Sequence, residues 1–447
     1  MSAAAGAPPA GVAPARSAAY RVIRRVFEQG AYADRALRSH AAGLQPRDRA
    51  LATILAFGTV QRMATLDHVV TRLSRRPADR LDPPVLAALR LGLFQLLFLD
   101  RVAEHAVVND SVELVKEEQR GGAGLVNAVL RRAVREGREI VATLGEDTPG
   151  AAALAHSVPR WLAEMWWAEL GEQGARALLR AVNEPAEAAL RVNTLVSTID
   201  EVRARLPVPA RPAPELPEGL VLDAPFDAHG SELFAQGAIM PQSRASMLVA
   251  RVLAPQPGER VLDLCAAPGG KTTHAAALTQ GEGEITAVER HPGRARALAL
   301  TCARMRADCV QVIVEDAAAG SVTKRYDRVL VDPPCSGLGT LQSRPDRRWR
   351  ASPESIAELS RLQSQILSAA ADATAAGGVL VYSVCTISRQ ETVHAVAAFL
   401  RQNPEFRAED LRERWPQHGS PDGPHLQLRP DRDGTDGFFI ARLRRAA

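Results

Sequence analysis

Two cysteines in this chain stand where an α/β sheet does its chemistry. Cys335 lies in Asp332-Pro333-Pro334-Cys335-Ser336-Gly337, directly after the apolar run Arg328–Val331, and Cys385 lies in Tyr382-Ser383-Val384-Cys385-Thr386, at the end of Val379–Tyr382. Ligands of parallel sheets gather at the carboxyl ends of the strands. Neighbouring strands would therefore bring both thiols and the Asp332 carboxylate to one pocket. A lone buried cysteine is ordinarily an inert small hydrophobe, and Cys302 and Cys309, around the helix end at Met305, are read that way. A nucleophile, an acid and a base held together suit methylation at C5 of a pyrimidine. That carbon is a poor nucleophile. A thiolate adding at C6 makes C5 enamine-like, and protonation at N3 favours the addition. Once C5 has taken a methyl group from a sulfonium, a base must remove its proton so that the thiolate can leave.

A second constellation is a glycine loop. Val261-Leu262-Asp263-Leu264 runs into Cys265-Ala266-Ala267-Pro268-Gly269-Gly270-Lys271-Thr272. The glycines let backbone approach a ligand, and helix N–H groups follow. A phosphate-binding Walker loop needs glycine where this chain has Cys265, so that reading fails, and the dinucleotide fingerprint GxGxxG is absent. The next two strand ends carry Glu289 and Asp316. The first is placed to accept the hydroxyls of a ribose, the second a hydrogen bond from an adenine amino group. An adenosyl cofactor held without a phosphate cradle is S-adenosylmethionine (AdoMet). Only three of the 55 basic residues are lysines, Lys116, Lys271 and Lys324. Lysine at Lys271, in so arginine-rich a chain, points to a position that needs an ammonium.

The elements that must hold these groups follow from hydropathy periods. From Gly237 onward, short apolar runs alternate with amphipathic helices, the pattern of a mainly parallel sheet covered on both faces, and Gly437–Leu443 reads as a closing strand. Residues 17–149 are helical throughout, with helices expected over Arg47–Thr65, Pro83–Leu99, Ala106–Gln119 and Gly124–Arg138. Residues 150–235 form a small α+β segment, in which Trp161, Trp166 and Trp167 read as core and the proline-rich stretch Leu206–Pro217 as a loop or linker. Residues 1–16, all Ala, Gly and Pro but for a few positions, read as a disordered tail and not as a signal peptide. Four regions result: 1–16, 17–149, 150–235 and 236–447.

Composition bounds the remaining classes. Of 447 residues, 46% are hydrophobic and 24% charged, as in ordinary globular proteins. No apolar run approaches the ~18 residues of a membrane span. Five cysteines at irregular spacing, with no CxxC, argue against a disulfide framework or a zinc site and for a reducing cytoplasm. Net charge is +4, but residues 1–150 carry 21 basic and 16 acidic residues, so the basic excess lies in the helical third. There Arg131, Arg135 and Arg138 share one helix face, and Arg72, Arg75, Arg76 and Arg80 form a second cluster. Either run alone is ordinarily a solvated face; the functional alternative is contact with phosphates.

The chain resembles the RNA 5-methylcytosine methyltransferases of the Sun/Fmu or RsmB type over nearly its whole length. The carrying motifs are DLCAAPGGKTTH at Asp263–His274, DPPCSGLG at Asp332–Gly339, RPDRRW at Arg344–Trp349, YSVCTI at Tyr382–Ile387 and RDGTDGFFIARL at Arg432–Leu443. The helical third resembles the NusB-type RNA-binding domain of the small-subunit rRNA branch, through RLGLFQLLFL at Arg90–Leu99, HAVVNDSVELV at His105–Val115 and GLVNAVLRR at Gly124–Arg132. The resemblance implies a Rossmann-like AdoMet methyltransferase domain at the C-terminus, an all-α NusB-like domain at the N-terminus and a small α+β middle segment. It makes Cys385 the nucleophile, Cys335 the thiol assisting proton removal and release, and Asp332 the carboxylate on the cytosine. The loop Cys265, Ala266, Ala267, Pro268, Gly269, Gly270 and Lys271, with Glu289, Asp316 and Asp332, would hold AdoMet. The expected partner is small-subunit 16S rRNA, with no metal, membrane or obligate protein partner. The same chemistry on tRNA and a non-catalytic ribosome assembly factor are the alternatives; intact Cys335, Cys385 and Asp332 argue against the second. One departure is Ser243, after Gln242, where the family usually has an acidic residue.

Overall fold

The structure, a computed structural model, describes residues 11–320 and 324–447. Its contacts divide the chain into two compact units, one of residues 1–184 with 341–350, the other of residues 185–340 with 351–447.

The first unit is helical: α1 (Pro14–Gln29), α2 (Ala33–His40), α3 (Pro46–Gln61), α4 (Met63–Ser74), α5 (Pro83–Phe98), α6 (Glu104–Glu118), α7 (Ala123–Ala142), α8 (Pro149–His156) and α9 (Arg160–Ala181). Helix α5 is buried almost all round, as a central helix must be, so its apolar residues show no single stripe. Phe94 of α5 lies so close to Gly58 of α3 that any side chain at 58 would clash with its ring. The tail expected over 1–16 lies outside the described residues as far as 10, and the chain is helical from Pro14. Proline preorganises a first helical turn, and Ala15 is fully buried against the bundle. The single helix expected over Arg47–Thr65 is two, α3 and α4, parted at Arg62. Trp166 is fully buried, as expected of core, while Trp161 and Trp167 are half-buried.

The ten-residue segment 341–350 packs in this helical unit. Its Arg348 is fully buried and donates to the carbonyls of Gln61, Ser157, Val182 and Leu341 and to Asn183 Oδ1, at 3.0–3.4 Å. Trp349 Nε1 donates to Val60 O at 2.7 Å. The motif RPDRRW is thus a structural clasp of the helices.

The second unit holds two sheets. The smaller has β1 (Ala189–Val192), β2 (Ala210–Ala213), β3 (Leu216–Leu222) and β4 (Ile239–Pro241), antiparallel in the order β2-β3-β1-β4, with α10 (Ile199–Arg205) and α11 (Glu232–Ala235). The proline-rich stretch expected to be a loop therefore contains a strand. It is an edge strand with a register irregularity after Pro212, where a missing N–H costs no ladder bond. Helix α12 (Arg244–Leu253) follows. Its N-cap is Ser243, whose Oγ accepts from Ser246 N at 3.4 Å. Serine and aspartate are near-equal in that role, so the helix start is capped without a carboxylate at 243.

The larger sheet comprises β5 (Arg260–Asp263), β6 (Glu284–Val288), β7 (Val310–Ile313), β8 (Tyr326–Val331), β9 (Thr374–Val384), β10 (Phe406–Ala408), β11 (Leu426–Leu428) and β12 (Phe438–Arg445), in the order β10-β12-β9-β8-β5-β6-β7, with β11 beside β12. Strands β5 to β9 pair in parallel; β10, β11 and β12 pair antiparallel. Along the chain the helices are α13 (Gly270–Leu278), α14 (Pro292–Arg304), α15 (Arg347–Arg350, in the other unit's segment), α16 (Pro353–Ala373), α17 (Val393–Gln402) and the short α18 (Pro430–Asp433). Side chains alternate between two cores. Val261, Val379, Val381 and Ile440 enter one, and Leu262, Leu380, Tyr382 and Phe439 the other. Each large apolar side chain fully buried this way stabilises the fold by about 1.5–3 kcal/mol. The chain winds outward from β5 in both directions, so the sheet's switch point lies between β5 and β8, where a ligand crevice opens.

Candidate active site

The first strand of the switch point, β5, ends at Asp263. Its Oδ2 accepts from Thr272 Oγ1 at 2.7 Å, and its Oδ1, buried, has no hydrogen-bond partner among the described residues. Burial raises this carboxyl to about 6, against the opposing pull of the Thr272 bond. The loop that follows is tied to β6 through Ala266 N to Val288 O at 3.0 Å. Gly269 has φ 102°, and a Cβ there would lie 2.8 Å from Leu298 Cδ1. Only glycine fits this turn, which launches α13 from Gly270. Burial pushes the Cys265 thiol up, away from the reactive thiolate.

Lys271, one residue into α13, donates from Nζ to Asp332 Oδ2 at 2.7 Å. Ser383 Oγ, on β9, donates to Asp332 Oδ1 at 3.0 Å. Burial, the largest single influence, would lower the Lys271 ammonium, but the charge and hydrogen bond of Asp332 with the charges of Cys385 and Asp263 together outweigh it, and the net shift is upward. Asp332 is thus held at both oxygens by the elements on either side of it.

Beyond Asp332 the two thiol loops meet. Cys335 Sγ and Cys385 Sγ are 3.3 Å apart, both half-buried and reduced. Gly339 N donates to Cys385 O at 3.0 Å, and Gly437 N to Gly339 O at 2.7 Å. The close approach of Gly339 to Gly437 leaves no room for a side chain at 339. The hydrogen bond to Cys385, burial, and the charges of Cys385, Glu391 and Asp332 raise the Cys335 thiol well above its ordinary range. Cys335 therefore keeps its proton at neutral pH. Lys271 is close enough to Cys385 for the two charges to act on each other, and a nearby cation favours a thiolate.

The flanking strand ends carry the other expected residues. Glu289, almost fully buried, accepts from His291 N at 2.9 Å and pairs with Arg294 at 3.3 Å. Asp316 lies three residues past β7, exposed, and its Oδ1 accepts from Ala318 N at 3.0 Å. Arg131, Arg135 and Arg138 are exposed on α7 of the helical unit. Arg132 beside them donates to Leu73 O at 2.6 Å, which joins that face to the end of α4, where Arg72, Arg75 and Arg76 are also exposed. Arg294, which donates to Ala267 O at 2.8 Å, and Ser383 went unmarked in the sequence because neither sits in a spacing that signals chemistry.

Comparison with known proteins gives this arrangement a lineage. Residues 250–444 match the family model described as 16S rRNA methyltransferase RsmB/F, residues 13–135 match the NusB family, and residues 158–229 match an RsmF/B-like ferredoxin-like domain. The chain is 36% identical to a probable ribosomal RNA small subunit methyltransferase B of Synechocystis, over 97% of this chain and 99% of the relative. The chain belongs to the RsmB/F methyltransferase family. A ribosomal RNA small subunit methyltransferase B of Thermus thermophilus is 39% identical over 92% of each chain. The crystal structure of PH0851 superposes with a TM-score of 0.82 at 27% identity, over 97% of this chain and 99% of that one. A methyltransferase homolog protein from Pyrococcus horikoshii, also at 27% identity, has a TM-score of 0.60 over 67% of this chain and 99% of its own. The family's methyltransferase domain, NusB domain and ferredoxin-like domain thus account for the three-part architecture, and the protein is a methyltransferase. Among the described residues no group of three or more His, Cys, Asp or Glu could hold a metal, and no helix is long and apolar enough to cross a membrane.

Proposed function

We propose that this protein methylates C5 of a cytosine in small-subunit 16S rRNA, with AdoMet as methyl donor and Cys385 as nucleophile. The observation that carries this reading is the 3.3 Å contact of Cys335 and Cys385 beside the Lys271–Asp332–Ser383 chain. The AdoMet assignment rests on fit. The unpartnered buried Oδ1 of Asp263 suits a cationic amino group. The tight turn at Gly269 lets backbone approach the ligand. Glu289 and Asp316 keep acceptor capacity for ribose and adenine beyond the bonds they already make. When bound, AdoMet supplies a methyl group activated by a sulfonium.

The chain's own residues do the rest. Lys271 favours the Cys385 thiolate, whose sulfur forms a bond to C6. N3 takes a proton from solvent as the C5=C6 electron pair moves into the ring, the Asp332 carboxylate accepting the hydrogen bond from N3–H, and that proton returns to solvent when the double bond is restored. With C5 alkylated and the Cys385 sulfur bonded to C6, the hydrogen bond and charge of Cys385 that hold the Cys335 proton are gone; Cys335 gives that proton to solvent and, as a thiolate, takes the C5 proton. The C5–H electron pair re-forms the double bond, and the C6–S pair returns to Cys385. Flipping the base out of its stack precedes all of this. In this reading the exposed arginines Arg131, Arg135 and Arg138 contact RNA phosphates and position the substrate. Working thiols and a ribosomal RNA substrate support a reducing cytoplasm as its compartment.

The test is direct. Cys385→Ala should abolish methyl transfer to unmethylated 16S rRNA, and digestion of the wild-type product should yield 5-methylcytidine. Cys335→Ala should trap a covalent protein–RNA adduct that survives denaturing gels. Methyl transfer retained in Cys385→Ala, or methyl found at another atom, would refute the assignment.

A further inference from the structure

Glu391 is fully buried in the turn between β9 and α17, six residues beyond Cys385. A carboxylate is acceptor-only, and burying one is costly unless donors surround it. Four do. Oε1 accepts from Ser336 N at 2.8 Å and from Gln363 Nε2 at 3.0 Å. Oε2 accepts from Ser336 Oγ at 2.5 Å and from Thr386 Oγ1 at 3.3 Å. Ser336 directly follows Cys335, and Thr386 directly follows Cys385. Their hydroxyls are also 2.8 Å apart. Gln363, on α16, reaches Pro334 O at 3.0 Å as well, so the turn before Cys335 is held from a second side. Tyr382, the residue three before Cys385, donates from its hydroxyl to the Glu391 carbonyl at 2.7 Å.

One carboxylate therefore binds the residue after each thiol. We infer that Glu391 is a positioning residue that sets the separation of Cys335 and Cys385, and so the reach of the second sulfur to the C5 proton while the first is bonded to C6. It touches neither the substrate nor the reacting atoms. The inference deepens the proposed reaction and rests on it for the roles of the two sulfurs; the clasp itself is a matter of geometry. A carboxylate suits a point where four donors converge, but its shape matters more here than its charge. Glutamine at 391 would keep Oε1 for Ser336 N and Gln363, and its amide would face two hydroxyls that can rotate to accept.

Two measurements on the full-length protein separate the clasp from the chemistry. The first is the rate at which diamide joins Cys335 to Cys385. Each thiol gives up one proton and one electron, an S–S bond forms, and the diazene is reduced to a hydrazine. This needs no RNA. The second is the steady-state kinetics of methyl transfer. A misplacement of about 1 Å costs about a hundredfold in rate. In Glu391→Ala we expect kcat to fall by about that factor, with the KM values for RNA and AdoMet within about threefold, and disulfide formation to slow about tenfold. Glu391→Gln should recover most of both. If the alanine variant does not fold, Thr386→Val removes one arm of the clasp and should slow both processes by a smaller factor. Unchanged thiol coupling and kcat in folded Glu391→Ala or Thr386→Val would overturn the inference, as would equal losses in Glu391→Gln and Glu391→Ala. A slowed disulfide in Glu391→Ala alongside an active Cys385→Ala would uphold the clasp and refute the reaction.

Discussion

Two cations, one in each unit, Arg348 fully buried and Lys271 half-buried, show what separates a working charge from a structural one. Arg348, in the helical unit, spends its donors on four backbone carbonyls and an asparagine oxygen. Burial pulls its guanidinium down to about 9, still well above neutral pH, and no carboxylate among the described residues pairs with it. Lys271, in the catalytic unit, has a carboxylate partner in Asp332, and its net shift is upward in spite of burial. Both come from conspicuous motifs, RPDRRW and DLCAAPGGKTTH. What distinguishes their roles is the partner. Carbonyls consume a cation's hydrogen bonds and tie segments of backbone together. A carboxylate that shares its other oxygen with a neighbouring strand leaves a polarised pair at the mouth of the crevice.

The contrast can be broken at three points. The largest effect is expected in Lys271→Met, where kcat for methyl transfer should fall by about 10²–10³, the usual cost of removing one preorganised electrostatic group. A thermal midpoint close to wild type would mark the loss as chemical, and a rate within twofold of wild type would return Lys271 to the structural class. Next is Arg348→Met. It leaves several carbonyls in the helical unit without a donor and should cost about 3 kcal/mol of stability, read by chemical denaturation. Methyl transfer per folded molecule should change little; its loss without a loss of stability would make Arg348 a site residue. The smallest effect is a pH dependence. Asp263 has a raised folded pKa of about 6 against an ordinary 3.8. Its contribution to the stability of the free protein is therefore fully present below about pH 4 and lost as pH rises through 6. A cationic ligand needs the ionised form, so affinity moves the other way. Between pH 5 and 7 the binding of AdoMet or a cationic analogue should tighten about tenfold, by calorimetry, and Asp263→Asn should flatten that dependence. A flat wild-type profile would remove Asp263 from the cofactor's ammonium site.

Much of this was legible in residues read one after another. The strands from Arg260 to Val384 and the helices between them follow from short continuous apolar runs that alternate with helical-period stretches, because a sheet covered on both faces leaves that signature in the chain. Gly269 could be singled out because a strand–loop–helix turn demands it. The central helix α5 was legible as a long apolar run. Less was visible where local signals compete. The prolines of Leu206–Pro217 hid β2, because an edge strand tolerates what an inner strand does not. The break at Arg62 was hidden because α3 and α4 continue one apolar pattern across it.

What the sequence by itself determined is the kit: two thiols and a carboxylate after apolar runs, a glycine loop with a lysine, and a helical region carrying the basic excess. These are local properties, written in residue type and spacing. Tertiary structure alone decided which members of the kit meet. That Cys335 lies 3.3 Å from Cys385 depends on β8 and β9 lying side by side in parallel, a pairing of segments about fifty residues apart. That Glu391 grips both loops, and that Arg348 clasps helices more than 150 residues earlier in the chain, leaves no local trace. A buried hydrogen-bond network is made of ordinary residue types whose partners are chosen by folding, so nothing in their spacing announces them.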